Sequence, residues 1–175
     1  DNAGLTATAT QTVTVTDTEV PTITAPANVT VNSDAGSCDA TGVALGSAIT
    51  ADNCGIASTI NDAPAVFPLG ATTVTWTVTD NAGLTATATQ TVTVTDTENP
   101  TITAPVNVTV NSDAGSCDAT GVALGSAITA DNCGIASTIN DAPAVFPLGA
   151  TTVTWTVTDN AGLTATATQT VTVTD

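Results

Sequence analysis

The stretch that decides the fold is Ala71–Thr95, with the sequence ATTVTWTVTDNAGLTATATQTVTVT. In its first half Val74, Trp76 and Val78 alternate with threonines, so one face of the strand is apolar and the other carries hydroxyl groups. The letters DNAG then have the composition of a tight turn. The second half keeps the alternation, although Gln90 occupies one position on the apolar face. The stretch therefore predicts a half-buried antiparallel hairpin.

The second half of this hairpin recurs along the chain. The letters DNAGLTATATQTVTVTD begin at Asp1, Asp80 and Asp159, so the repeat period is 79 residues. A unit of this length is a whole small domain rather than one rung of a solenoid. We therefore predict three segments: residues 1–16 as the final strand of a preceding, truncated repeat, residues 17–95 as one complete repeat, and residues 96–175 as the next.

Each repeat reads as strands only. Short apolar runs are separated by Gly, Pro, Asn and Asp, and no stretch has a helical period. One of the predicted strands is Gly42–Ile49. Because the whole chain has only two Trp and two Phe, the core of each repeat must come largely from Val, Ile, Leu and Ala. This organisation predicts an all-β protein made of small sandwiches.

The charge of the chain excludes several classes of function. There is no Lys, Arg or His against 16 acidic residues, for a formal net charge of -16. Nucleic acid binding requires a cationic surface, so we expect no nucleic acid partner. No apolar run approaches the roughly 20 residues of a spanning helix, so we expect no membrane insertion. The usual general bases and amine nucleophiles are missing, so we expect no enzyme.

Four motifs relate the repeat to a known family. They are PTITAPANVTV at 21–31, SDAGSC at 33–38, ADNCG at 51–55 and FPLGATTVTWTVTD at 67–80. Together they resemble the hyalin repeat (HYR) domain, especially the form found in tandem arrays in surface, gliding and adhesion proteins of Bacteroidota. The resemblance implies an immunoglobulin-like or fibronectin-III-like β-sandwich on the outside of the cell.

The resemblance and the near-identity of the repeats lead to an expected function. We expect a structural extracellular stalk or filament segment of a repetitive bacterial surface adhesin. Its expected partners are neighbouring repeats and identical chains in a filament. The alternative is a multivalent module that binds a carbohydrate or another surface ligand.

The four cysteines are Cys38, Cys54, Cys117 and Cys133. In an extracellular chain they are expected to form disulfides rather than a zinc site. If Gly42–Ile49 is one continuous strand, Cys38 and Cys54 lie roughly 20 Å apart, and Cys38 pairs with Cys133 of the next repeat. We narrowly favour this cross-repeat pairing. If Gly46–Ser47 is instead a hairpin loop, Cys38 pairs with Cys54 and Cys117 with Cys133.

Acidic and amide side chains are predicted to gather at one end of each repeat, because successive strands alternate in direction. The candidate ligands are Asp17, Glu19, Asp52, Asn53, Asp80 and Asn81 in the first repeat, and Asp96, Glu98, Asp131, Asn132, Asp159 and Asn160 in the second. Converging oxygen donors suit Ca²⁺, which is therefore the candidate cofactor at each repeat junction. The competing interpretation is that these residues only form turns, where Asp and Asn are preferred in any case.

Overall fold

The computed structural model describes residues 2–175, and the predicted all-β fold with two sandwich repeats is confirmed. The first repeat forms β1 Thr22–Thr24, β2 Val29–Asn32, β3 Asp39–Thr41, β4 Ile49–Ala51, β5 Ile56–Asn61, β6 Val66–Pro68, β7 Gly70–Asp80 and β8 Thr85–Thr95. The second forms β9 Thr101–Thr103, β10 Val108–Asn111, β11 Asp118–Thr120, β12 Ile128–Ala130, β13 Ile135–Asn140, β14 Val145–Pro147, β15 Gly149–Asp159 and β16 Thr164–Thr174.

Each repeat has one large sheet and two small ones. The large sheet has the order β2-β8-β7-β5 in the first repeat and β10-β16-β15-β13 in the second. Its long antiparallel hairpin, β7–β8 or β15–β16, is the one predicted from the alternating sequence. The short strand β2 pairs in parallel with the C-terminal part of β8, as Val29 does with Val92, and β10 pairs with β16 in the same way. The two-stranded sheets are β1-β4 and β3-β6, with β9-β12 and β11-β14 as their equivalents.

The core of the second repeat lies between its large sheet and its two small sheets. Trp155 and Val171 from the long hairpin are buried together with Phe146 from β14 and Ala119 from β11. Ile102 from β9 packs against this cluster. The inward positions of β15 and β16 are those that the alternation of Val and Trp with Thr selects. Burial of one face therefore sets the register of the hairpin.

A glutamine sits inside each core. Gln169 is fully buried, and its Oε1 accepts a hydrogen bond of 3.1 Å from the indole nitrogen of Trp155. Its Nε2 donates to the carbonyl oxygens of Val106 at 2.7 Å and Leu124 at 2.9 Å. Gln90 makes the equivalent bonds in the first repeat. A buried polar side chain is tolerated here because its hydrogen bonds are made.

The continuous strand predicted over Gly42–Ile49 is wrong. Only Ile49 belongs to a strand, and residues 42–48 form an irregular connection between β3 and β4. Gly42 and Gly46 have positive φ angles of 62° and 83°, a conformation that turns the chain out of the extended region. The carbonyl of Leu45 also bonds to the buried Gln90 rather than to a neighbouring strand.

Residues 5–16 form no strand in the structure, and Val13 and Val15 are exposed. Their assignment to a preceding repeat stays a prediction. By their internal contacts the described residues form two compact units: 2–27, 45–63 and 73–90 in one, and 28–44, 64–72 and 91–175 in the other. The second unit contains the junction between the two repeats. Among residues 2–175 there is no helix long and apolar enough to cross a membrane.

Candidate metal centre

The turn of the long hairpin places a carboxylate inside the protein. Asp80 is 1 % exposed, and its Oδ1 accepts hydrogen bonds of 2.8 Å from the backbone nitrogens of Ala82 and Leu84. This is an Asx-type turn, in which the side chain mimics a backbone acceptor. The second oxygen, Oδ2, is buried without a hydrogen-bond partner. The turn therefore uses only half of the carboxylate.

In two further aspartates of the first repeat, one carboxylate oxygen likewise accepts a backbone hydrogen bond and the other has no partner. Asp52 accepts from the nitrogen of Cys54 at 2.8 Å through Oδ2, and Asp17 accepts from the nitrogen of Glu19 at 3.1 Å through Oδ1. The remaining oxygens, Asp52 Oδ1 and Asp17 Oδ2, are buried and unpartnered. The turn interpretation and the metal interpretation are thus compatible, since each role uses a different oxygen.

These side chains converge in both repeats. Asp17, Asp52 and Asp80 bring one ligand atom each to within 4.8 Å of one another, and Asp96, Asp131 and Asp159 do the same. In the second cluster Asp96 Oδ2, Asp131 Oδ1 and Asp159 Oδ2 are the buried, unpartnered oxygens. We call the first set the N-cluster and the second the junction cluster. The junction cluster lies in the compact unit that also contains the end of the first repeat.

No side chain of this protein can neutralise these clusters. The sequence contains no Lys, Arg or His, so an ammonium, guanidinium or imidazolium partner is not available at any position. Burying a carboxylate without compensation costs several kcal/mol, roughly, and three together add mutual repulsion. A cation from solution would satisfy these oxygens and neutralise their charge together.

The donor set fits Ca²⁺ better than the other common divalent ions. All donors are oxygens, whereas zinc in proteins prefers histidine nitrogen and cysteine sulfur as ligands. Ca²⁺ accepts roughly six to eight oxygen ligands at flexible angles, so three carboxylates can be completed by amide oxygens, backbone carbonyls and water. Mg²⁺ demands a near-ideal octahedron and gives up its water reluctantly.

The other predicted ligands have different positions. Asn81 donates a hydrogen bond of 2.9 Å through Nδ2 to the carbonyl oxygen of Cys54. Asn160 makes the equivalent bond to the carbonyl oxygen of Cys133. The side chain of Glu98 accepts a hydrogen bond of 2.9 Å from the nitrogen of Gly36. All four of these residues, Glu19, Glu98, Asn81 and Asn160, are exposed. The structure therefore groups the three aspartates of each repeat without Glu19 or Glu98.

A disulfide lies beside the junction cluster. Cys38 and Cys133 are bonded across the repeat boundary, with their Cα atoms 4.8 Å apart. The backbone nitrogen of Cys133 donates to the cluster residue Asp131 at 2.8 Å. Cys54 and Cys117 are free and exposed, so the within-repeat pairs do not form in this structure. The irregular path of residues 42–48 shows that a continuous strand is not needed for the cross-repeat pair.

The free thiol of Cys54, beside the N-cluster, has a raised pKa. Desolvation, followed by the negative charges of Asp17, Asp52 and Asp80 and a hydrogen bond with Asp17, raises the pKa of Cys54 above its ordinary value. All of these effects disfavour the thiolate. Cys54 is therefore a weaker nucleophile near neutral pH than its exposure alone suggests.

Two contacts between the repeats could not be predicted from the sequence. The carbonyl of Ser37 accepts a hydrogen bond of 2.7 Å from the side-chain nitrogen of Asn132, and Gly36 donates to Glu98. Both contacts use backbone groups of the SDAGSC loop, which any residue could supply. The only sequence signal was indirect, through the cross-repeat pairing of Cys38 with Cys133.

Comparison with solved structures gives distant similarities. A protocadherin gamma B7 fragment with extracellular cadherin domains 1–4 is 12% identical, with 89% of this chain and 51% of that chain covered and a TM-score of 0.41. Drosophila N-cadherin EC1-4 is 12% identical, with 90% and 50% covered and a TM-score of 0.46. The chain thus spans about half the length of both structures. At these TM-scores the similarities carry no inference about ligand or function. A search of curated proteins found no match.

Tandem all-β domains, each with a three-aspartate cluster at its hairpin turn, define a modular protein built from repeated domains. The HYR domain family matches the chain twice, over residues 16–94 and 95–173. The chain therefore belongs to the HYR domain family, as the motifs of the sequence had predicted. Tandem HYR domains fit an extracellular module of a structural or adhesive type.

Proposed function

We propose that this chain is a segment of an extracellular stalk or filament in which Ca²⁺ at the aspartate clusters and a disulfide between repeats hold successive domains together. The observation that supports it best is the set of buried, unpartnered carboxylate oxygens, present at equivalent places in both repeats. The chain has no basic side chain that could neutralise these oxygens, which favours a cation from solution. We assign no catalytic role to the protein.

The repetition itself favours a spacer over a receptor. Residues 17–95 and 96–174 are almost identical, so no single repeat is specialised for one ligand. The high negative charge keeps such a chain soluble, and the absence of Lys and Arg leaves no site for trypsin-like proteases. These are properties of a durable segment that holds other domains away from a bacterial cell surface.

Force spectroscopy on the whole chain tests the proposal. We expect the unfolding force of each repeat to be higher in millimolar Ca²⁺ than in EGTA, with Mg²⁺ giving a smaller increase. Equal unfolding forces in Ca²⁺ and in EGTA would contradict a mechanical role for Ca²⁺. A glycan array with the same chain tests the alternative, since a spacer binds no glycan and a multivalent lectin-like module binds a defined set.

A further inference from the structure

One edge strand of each large sheet is exposed along almost its whole length. β13 Ile135–Asn140 is the last strand in the order β10-β16-β15-β13, so among residues 2–175 it pairs only with β15. Residues 136–140 are all exposed, and their side chains point alternately to both faces of the sheet. β5 Ile56–Asn61 has the same place in the first repeat, with residues 57–61 exposed. Such a strand presents unpaired backbone groups to solvent.

The backbone groups on the free edge of β13 follow from its pairing. Asp141 N donates to Thr154 O at 3.2 Å, so the backbone of residue 141 faces β15. Because this direction alternates along an antiparallel strand, Thr138 and Asn140 direct their N–H and C=O groups away from β15. The side chain of Ile139, between them, is 62 % exposed. The free edge therefore offers backbone hydrogen bonds beside an exposed apolar side chain.

The usual protection of an edge strand is weak here. Natural edge strands carry charged residues, Pro or bulges that keep other chains from pairing with them. The strand sequence IASTIN has no charge and no Pro, although the chain has 16 acidic residues. The acid that follows it, Asp141, turns Oδ1 toward Thr154 N of its own sheet, at 2.6 Å. A bulge lies between Ile135 and Ser137, and residues 137–140 are in regular register.

The segment that fits this edge best is the same strand of a second copy. A cationic partner would be attracted to the acidic surfaces, whereas this strand calls for an uncharged extended segment, which each repeat itself carries. In an antiparallel pair, Ile139 can lie opposite Ile139 of the second copy. Thr138 of each strand then exchanges both backbone bonds with Asn140 of the other. This register packs the two exposed isoleucines against each other.

We propose that β5 and β13 are strand-addition sites, through which identical chains pair edge to edge and antiparallel so that their large sheets become continuous. This inference goes beyond the proposed function, because it names a lateral partner. It does not depend on Ca²⁺, since no aspartate of either cluster belongs to β5 or β13. A six-residue strand buries less than the roughly 1,000 Å² of a stable complex, so each contact is weak and gains strength from its repetition.

Sedimentation equilibrium of the full chain in EGTA tests the pairing, with Cys54→Ser and Cys117→Ser present throughout to prevent disulfide exchange. We expect the average mass to rise with protein concentration at physiological salt, which screens charges beyond about 8 Å. Ile60→Asp with Ile139→Asp places like charges opposite each other and should raise the dissociation constant about tenfold or more. The matched control, Ile49→Asp with Ile128→Asp, alters isoleucines that are 74 % exposed on β4 and β12, and it should associate like the parent chain.

Cross-linking checks the register without weakening the contact. Under mild oxidation Ile139→Cys should give a disulfide-linked dimer, because opposite residues of a non-hydrogen-bonded pair have Cα atoms about 4.5 Å apart. Ile128→Cys is the control and should remain monomeric.

Two results would overturn this inference and leave the calcium proposal standing. One is a parent chain that stays monomeric up to millimolar concentration, with no more dimer from Ile139→Cys than from Ile128→Cys. Only a strand of a different protein would then remain as a partner for this edge. The other is association that Ile60→Asp with Ile139→Asp does not weaken, because a different surface would then be responsible.

Discussion

Asn132 donates a hydrogen bond of 2.7 Å through its side-chain nitrogen to the carbonyl oxygen of Ser37, which lies 95 residues earlier in the chain. The bond joins the β12–β13 loop of the second repeat to the β2–β3 loop of the first. It runs beside the Cys38–Cys133 disulfide, which has the same sequence separation. Two different kinds of bond therefore connect the repeats at one place, next to a cluster of three aspartates.

Asp159→Asn should separate the metal role of this side chain from its turn role. Asn keeps the Oδ1 acceptor for Ala161 and Leu163 but replaces the unpartnered Oδ2 by an uncharged NH₂ group. In EGTA we expect the variant to unfold at the same temperature as wild type or higher, because carboxylate repulsion is reduced. With Ca²⁺ at 100 times its Kd, the free energy of unfolding of the wild type should rise by about 2.7 kcal/mol. For the second repeat of the variant we expect little increase.

The control for this substitution is Asp175→Asn, which makes the same charge change at an exposed residue outside the cluster. Differential scanning calorimetry in the two buffers checks the prediction. If Asp159→Asn lowers stability equally in Ca²⁺ and in EGTA, the side chain acts only through the turn.

Gln169→Met should destabilise the second repeat. The substitution keeps the volume but leaves the indole nitrogen of Trp155 and the carbonyls of Val106 and Leu124 without their partner. Since each unsatisfied buried group costs roughly 1–3 kcal/mol, we expect a loss of about 2 kcal/mol or more in urea unfolding. The matched substitution Gln11→Met has the same flanking sequence but lies at an exposed position, and it should have almost no effect.

The disulfide pattern can be read from thiol counts. Peptide mass alone cannot assign it, because DAGSC and DNCGIASTIN occur in both repeats. With the cross-repeat bond, the oxidised monomeric chain has two free thiols, and Cys54→Ser with Cys117→Ser has none. Within-repeat pairing would instead give none in wild type and two in that double variant. Ellman titration in denaturant distinguishes the two outcomes.

The reactivity of Cys54 should depend on its acidic neighbours. Its pKa is raised, so at a given pH below that pKa its thiolate fraction is smaller than that of an ordinary cysteine. Asp17→Asn removes one negative charge and should lower this pKa, which shifts the pH profile of iodoacetamide alkylation to lower pH. Alkylation of Cys117 in the same sample provides the reference rate. An unchanged Cys54 profile would show that the charge of Asp17 is not a cause of the shift.

The hairpin and its register could be predicted from the sequence because one local rule governs them. Strict alternation assigns Val74 and Trp76 to one face of β7, and burial of that face fixes the pairing with β8. The path of residues 42–48 could not be predicted, because it depends on positive φ angles at Gly42 and Gly46 and on the bond from Gln90 to Leu45. These are tertiary effects, which the alternation of apolar and polar residues in the sequence does not reveal.

The candidate site was partly predictable from the sequence, because the direction of the strands follows from their order. Strand direction was enough to suggest that Asp17, Asp52 and Asp80 gather, and the structure brings their oxygens within 4.8 Å. The sequence could not show which oxygen of each carboxylate serves the turn and which remains buried and unpartnered. It also could not show that Glu98 turns to Gly36, since the partner is a backbone nitrogen.

Calcium titration by calorimetry tests the central claim most directly. We predict two Ca²⁺ ions per chain for the wild type and no saturable binding for Asp80→Asn with Asp159→Asn. The control is Asp62→Asn with Asp141→Asn, which makes the same charge change at residues whose Oδ1 accepts from Thr75 and Thr154 outside the clusters. This control should still bind two ions. Absence of binding to wild type, or two bound ions in the Asp80→Asn and Asp159→Asn variant, would contradict the account.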